Sequence, residues 1–255
     1  MTILVILKEF LPDFLTGQEE RTHLCESDKQ VLIEALHLRD EISGQVTVLA
    51  HGSMDREDIL SEIWSYAPDQ VFMLPKNIPG RDAACEGSVN LIPTAQALAS
   101  AVRQIGAFDL ILLGRQAVDG DSIHMASLVS HYLDLPLLPY TRDISRISDQ
   151  KLEAVCIDDH FSYTVNVSLP AVVVAHNDNV PPRYPRMADI RKAYGGRCNT
   201  RYLSGQTKAT GTLTLLQEYS PEPESNTDTI FLSGSNDQEK AEQLLALLRS
   251  MGCCL

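Results

Sequence analysis

The stretch Asp109–Ser122, DLILLGRQAVDGDS, decides how this chain is read. The aliphatic run Leu110, Ile111, Leu112, Leu113 suits a strand buried on both faces, and Gly114 ends it. Helical spacing starts near Ser122 and lasts to Leu133. A buried strand that ends in glycine and hands over to a helix a few residues later has the geometry of a phosphate site. Gly114 and Gly120 let backbone approach a ligand closely, while the first N–H groups of the helix and its positive dipole end favour an anion. Ser122 is placed to cap the helix or to bond a phosphate oxygen. The carboxylates of Asp119 and Asp121 would repel phosphate, so their expected work is to bond loop N–H groups and hold the turn. Arg115, the cation of the segment, either neutralises phosphate charge or stands solvated. The spacing matches neither G-x-x-x-x-G-K-[ST] nor G-x-G-x-x-G, so the nucleotide signal is geometric.

The same alternation recurs toward the start of the chain. Short aliphatic runs predict strands at Ile3 to Leu7, Gln45 to Ala50 and Gln70 to Leu74. Between them, a capping box from Ser27 to Gln30 opens a helix carrying Val31, Leu32, Ala35, Leu36 and Leu38, which Gly44 stops. Asp55 is expected to cap a second helix through Ile59, Leu60, Ile63 and Trp64, and a third, Thr94 to Ile105, closes at Gly106. Strands alternating with such helices imply right-handed crossovers and an α/β fold, a mainly parallel Rossmann-like sheet with helices on both faces. Ligands of such sheets sit beyond the strand carboxyl ends.

From Pro139 to Ala175 the helical rhythm pauses. Val155, Tyr163, Val165, Val167 and the run Ala171 to Ala175 predict late antiparallel strands that extend the sheet. Beyond Pro181, Pro182 and Pro185 the chain turns polar, with Pro221 to Ser225 reading as a solvated linker. It finishes in a helix announced by a capping box from Ser235 to Gln238, with Ala241, Leu244, Leu245 and Leu248 on one stripe. The expected organisation is a nucleotide-binding α/β domain over 1–196 and a C-terminal arm over 197–255.

With 255 residues and a 44% hydrophobic share, the chain has material for one sizeable core. A formal charge of −13 argues against a nucleic-acid or anionic-membrane surface. No apolar run is long enough to span a bilayer, and Lys8 and Glu9 interrupt what would have to be a signal core, so a soluble, cytoplasmic protein is expected. Six cysteines (Cys25, Cys85, Cys156, Cys198, Cys253, Cys254) without a C-x-x-C pair point to reduced thiols and to neither zinc nor iron–sulfur chemistry. Asp158-Asp159-His160 has the letters of a metal cluster, but it falls where a hairpin turn is expected, and no metal site is assigned. Hydrolase chemistry finds no G-x-S-x-G and no nucleophile with a local base.

Three segments carry a resemblance to a known family. GRQAVDGDS after its aliphatic strand closely resembles the signature loop of electron-transfer flavoprotein β subunits. The opening ILVILKEFLPD resembles that family's first strand, and SLPAVVVAHNDNVPPRYPRMADIRKA resembles its late strand and arginine-tyrosine-proline turn. The tail after Gly211 is arranged like the family's C-terminal arm. The resemblance implies an αβ heterodimer that carries electrons between a dehydrogenase, such as an acyl-CoA dehydrogenase, and an acceptor. Its redox-active FAD lies mainly with the α subunit. The loop matching Gly114, Arg115, Gln116, Ala117, Val118, Asp119, Gly120, Asp121, Ser122, Ile123, His124, Met125 and Ala126 would hold a second nucleotide. That nucleotide is AMP in ordinary members or a second FAD in electron-bifurcating ones. Positions matching Ile6 and His51, at strand ends on the same edge, would line the pocket, and Leu203 would present an apolar anchor to the dehydrogenase. His124 and Ala126 stand where members have Gln and Gly, and Cys25-Glu26 stands where they have Asn-Pro. A methyl at position 126 would then meet the ligand. The competing class is a stand-alone nucleotide-binding regulatory protein, since a fold does not fix a function.

Overall fold

A computed structural model describes residues 1–8, 24, 26–52, 57–75, 91–117, 120–121, 123–148, 150–158, 160–176, 180–196, 198–204, 231–234 and 236–250. The chain divides into two compact units, residues 1–214 and 215–255. In the first, β1 (Thr2–Lys8), β2 (Gln45–Gly52), β3 (Gln70–Pro75) and β4 (Leu110–Gly114) lie parallel in the order β3-β2-β1-β4. The crossovers are α1 (Glu26–Ile42), α2 (Glu57–Ser65) and α3 (Leu91–Ile105), and α4 (Ile123–Leu133) follows β4. Successive strand residues point to opposite faces, so aliphatic runs feed two cores. Val5, Val48 and Leu112 pack with Val31, Leu36 and Ile63 of α1 and α2. On the other face Ile6, Leu49 and Leu113 pack with Leu98 and Val102 of α3 and Met125 and Val129 of α4.

Between β4 and α4, β5 (Gln116–Ala117) and β6 (Gly120–Asp121) form a two-rung antiparallel hairpin. The sheet then continues through β7 (Leu137–Ser148), β8 (Lys151–Ile157), β9 (Ser162–Ser168) and β10 (Ala171–Ala175), and with β11 (Arg201–Tyr202) the described residues give nine strands in the order β11-β3-β2-β1-β4-β10-β7-β8-β9. The antiparallel extension is β7-β8-β9, in which β8 buries the alternating Leu152, Ala154 and Cys156. The run Ala171–Ala175, expected within that extension, is instead a parallel strand between β4 and β7. Five consecutive residues at 0% exposure need cover on both faces, which an internal strand has and an edge hairpin lacks. Asp158 makes the expected turn after β8, its Oδ1 accepting the N–H groups of His160 at 2.8 Å and Phe161 at 2.7 Å. Among the described residues no group of His, Cys, Asp and Glu is arranged to hold a metal ion, and no helix is long and apolar enough to cross a membrane.

Past the proline-rich turn, α5 (Met187–Tyr194) packs against α2, and β11 (Arg201–Tyr202) pairs with β3. The segment after residue 197, expected to be an arm, therefore begins inside the first unit. Trp64 Nε1–H donates to Thr200 Oγ1 at 2.9 Å, and Leu203 N–H to the Met73 carbonyl at 2.8 Å. In the second unit α6 (Asp237–Ser250) is capped one residue later than expected. Asn236 Oδ1 accepts the Glu239 N–H at 2.8 Å, because an asparagine caps as well as a serine and the Asn-x-x-Glu frame competes with the Ser-x-x-Gln one. No described residue of α6 is buried, and Leu244 and Leu245 are exposed. Asp55, Ser235 and Pro221–Ser225 fall outside the described residues.

Gly114 is fixed by packing. A Cβ there would lie 2.8 Å from Ser27 Oγ and 2.9 Å from Asp28 Oδ1, so the first turn of α1 rests directly on the end of β4. Ser27, expected to cap α1, is inside the helix and serves this contact instead. Gly114→Ala should cost about 1–3 kcal/mol of stability through overpacking. Urea unfolding checks this, and adding Ser27→Gly should restore part of the loss.

Glu34 of α1 is the second constraint. Its Oε2 is sealed from solvent and accepts no hydrogen bond. Burial, with a smaller contribution from Asp143, raises its pKa from 4.5 to about 7. The folded state therefore holds a proton that the unfolded chain releases. Its penalty is absent below the unfolded value of 4.5 and grows as pH rises through about 7. The full effect is on the order of 3 kcal/mol. Glu34→Gln should flatten the fall in stability across that window, measured by denaturant titration at stepped pH.

Candidate functional site

The strand order reverses between β1 and β4. From β1 the chain steps outward through β2 to β3, then α3 carries it back to β4 on the other side of β1. The helix after β1 covers one face of the sheet and the helix after β4 covers the other, which opens a crevice at the carboxyl ends of these two strands. Register places Ile6 beside Leu49 and Leu113, Lys8 beside His51, and Gly114 beside Ala175.

Two helix N-termini reach this edge, and their charges differ. The first turn of α1 carries Glu26 and Asp28, with Asp28 buried, so its dipole end is already met by the chain's own carboxylates. The first turn of α4 carries no acidic residue. The backbone N–H groups of Ile123, His124, Met125 and Ala126 lack intrahelical partners by helix geometry, which is the general character of an anion-binding helix end.

Arg115 stands at the end of β4. Its Nη1–H donates to His176 Nε2 at 3.0 Å, a bond that needs that ring nitrogen bare. Its guanidinium carbon lies 5.0 Å from the Tyr140 ring centroid, in cation–π contact. Its Nε is shut off from solvent with no partner. A cation held on two sides, with one donor unmet, suits an acceptor oxygen brought by a ligand. Tyr140 reaches it because the β10–β7 register shifts between Val173 and Ala175, and Tyr140 takes a left-handed φ of 47° in the bulge. His176 follows β10 directly, its N–H donating to the Thr141 carbonyl at 2.7 Å.

The remaining expected site residues divide. His51 is half-buried on the edge, its Nδ1–H donating to the Leu74 carbonyl at 3.0 Å. The backbones of Gln116, Ala117, Gly120 and Asp121 form the hairpin, so backbone pairing returns the loop. Val118, Asp119 and Ser122 lie outside the described residues. His124 is exposed. Ile6 and Met125 at 1% exposure and Ala126 at 0% have their side chains in the second core. The methyl of Ala126, expected to meet a ligand, packs toward the sheet, because residues 125, 126 and 129 share one helical face. These residues leave only backbone groups for the crevice. Leu203 is likewise half-buried against the second core, whereas its neighbour Tyr202 is exposed.

The residues that sequence reasoning passed over are Tyr140 and His176. The signal for the first was Pro139, since proline within a strand marks an edge or a bulge. The signal for the second was its position, one residue past a buried strand on the ligand edge.

Comparison with known proteins agrees with this architecture. Residues 15–201 match the electron transfer flavoprotein domain. The electron transfer flavoprotein subunit beta of Thermoanaerobacterium thermosaccharolyticum is 29% identical over 167 residues, covering 66% of this chain and 61% of that protein. The caffeyl-CoA reductase-Etf complex subunit CarD of Acetobacterium woodii is 29% identical over 169 residues, with the same 66% and 61% coverage. The acryloyl-CoA reductase electron transfer subunit gamma of Anaerotignum propionicum is 29% identical over 171 residues, again covering 66% and 61%. The matched region spans about three fifths of the length of these relatives. Since the domain match runs over well more than half of its residues, the chain belongs to the electron transfer flavoprotein family, among relatives named as β subunits.

Proposed function

We propose that this chain is the nucleotide-binding β subunit of a heterodimeric electron-transfer flavoprotein, an electron carrier in the cytosol that serves a dehydrogenase or reductase acting on CoA esters. The observation that carries this reading is the buried, unmet Nε of Arg115, which directly follows β4 at the β1/β4 reversal, in a segment that leads into the acid-free first turn of α4. In this reading the phosphates of AMP or of a second FAD sit on the first-turn N–H groups of α4. Arg115 supplies the countercharge, held in place by Tyr140 and His176. The names of two relatives, a caffeyl-CoA reductase complex subunit and an acryloyl-CoA reductase electron transfer subunit, support a CoA-ester partner.

The redox-active FAD belongs mainly to the α subunit. When bound, a flavin supplies the electron chemistry, and this chain's part is to bind, orient and exclude water. Leu244 and Leu245 on α6 favour a chain that works with a second subunit over a stand-alone regulatory protein, because exposed leucines on one stripe need cover.

Co-expression with α-type subunits, followed by denaturation and mass spectrometry of the released nucleotides, tests this. FAD with AMP identifies a simple carrier, two FAD per heterodimer a bifurcating complex, and a monomer free of nucleotide overturns the proposal. Arg115→Gln should weaken nucleotide retention about tenfold or more, the worth of a charge-assisted hydrogen bond. His124→Ala, at an exposed position, should leave retention unchanged.

A further inference from the structure

Away from the nucleotide crevice, a second cavity of about 470 Å³ opens between α1 and the β7–β8 hairpin. Glu34, His37 and Glu41 face it from α1, at spacings that share one helical face. Arg142 and Asp143 face it from β7, while β8 and the segment after β10 contribute only the apolar Val155, Val180 and Pro181. The walls are built without a ligand. His37 Nε2–H donates to the Pro181 carbonyl at 3.1 Å, and Arg183 Nη1–H donates to Asp40 Oδ2 at 2.7 Å, which ties the segment after β10 to α1. Glu34 itself lines the cavity, and its Oε2 is buried without a hydrogen-bond partner.

We propose that this cavity binds an organic monocation, an ammonium or guanidinium on a short apolar body, with the Glu34 carboxylate as its counter-ion. Three carboxyl groups, Glu34, Glu41 and Asp143, line it against the single guanidinium of Arg142, so the lining is short of positive charge. A metal ion is a poor fit, because no three His, Cys, Asp or Glu among the described residues are arranged to ligate one. The volume falls in the range of small-molecule sites, larger than one ion needs, and the apolar walls suit a hydrocarbon body. Burial keeps Glu34 partly protonated near neutrality, with Asp143 adding to the effect. A cation in contact with the carboxylate reverses that preference, so binding releases the Glu34 proton to solvent.

The test is calorimetric titration of the full chain with n-butylammonium chloride at pH 6 and pH 8, with sodium chloride and neutral butyramide as controls. The probe is cationic at both pH values. Saturable binding of one probe per chain is expected, about tenfold tighter at pH 8 than at pH 6, as linkage to one group titrating between them requires. Glu34→Gln should remove the pH dependence and weaken binding at least tenfold. Asp143→Asn, at an exposed position, should weaken it severalfold while leaving the fold intact. Heats no greater than those of butyramide, or equal affinity in both folded variants, would overturn the proposal. Repeating the titration on the chain assembled with its α subunit separates the sources. Undiminished binding assigns the site to a free amine, and exclusion assigns it to a basic side chain of the partner. The first titration needs no partner and no nucleotide, so its failure leaves the proposed function standing.

Discussion

The seating of β4 against β1 is the constraint on which the rest of the molecule depends. At the amino end it is pinned by Asp109, whose Oδ2 accepts the Thr2 N–H at 2.7 Å and the Thr2 hydroxyl at 3.1 Å. At the carboxyl end it is closed by Gly114 under the first turn of α1. Between these points the two strands run in register from Ile3–Leu110 to Ile6–Leu113. This pair sets the reversal of strand order, and the reversal sends α1 and α4 to opposite faces and leaves their N-termini at one edge. A β4 slipped by one residue would exchange its faces between the two cores, because side chains alternate along a strand.

The two helix ends at that edge are chemically unequal, and the inequality follows from sequence. A first turn with Glu26 and Asp28 satisfies its own dipole, whereas one made of Ile, His, Met and Ala does not. Gly114 therefore has a different meaning from the one its motif suggests. Its missing side chain admits Ser27 and Asp28 of α1. The bulge at Tyr140 completes the arrangement by placing an aromatic ring under the guanidinium.

Legibility in the sequence tracked how local the determining physics was. The four early strands and their helices were readable because each is a self-contained aliphatic pattern. The placement of Ala171–Ala175 was not, since five buried residues look alike in a parallel or an antiparallel setting and only their neighbours decide. Ile6, Met125 and Ala126 were assigned to the ligand through the resemblance, and helical and strand periodicity turns their side chains into the core. Tyr140 and His176 depend on a register shift between strands far apart in sequence. β11 and α5 are too short for a periodic signal to build. Glu34 looks like an ordinary polar-face residue between Ile33 and Ala35, and it is buried because a hairpin more than a hundred residues later folds over it.

The acidity of the whole chain does not conflict with the anion site proposed for it. A formal charge of −13 spread over the surface is screened within roughly 8 Å at physiological ionic strength. At the carboxyl edge of the sheet the relevant charges are local ones, a guanidinium with an unmet donor and a helix end, that of α4, with no acidic residue in its first turn. On the far side of α1 the local balance has the opposite sign, with carboxyl groups in excess and one of them held sealed. Each face of the fold thus carries a charge deficit of its own, and net charge, which averages over both, predicts neither.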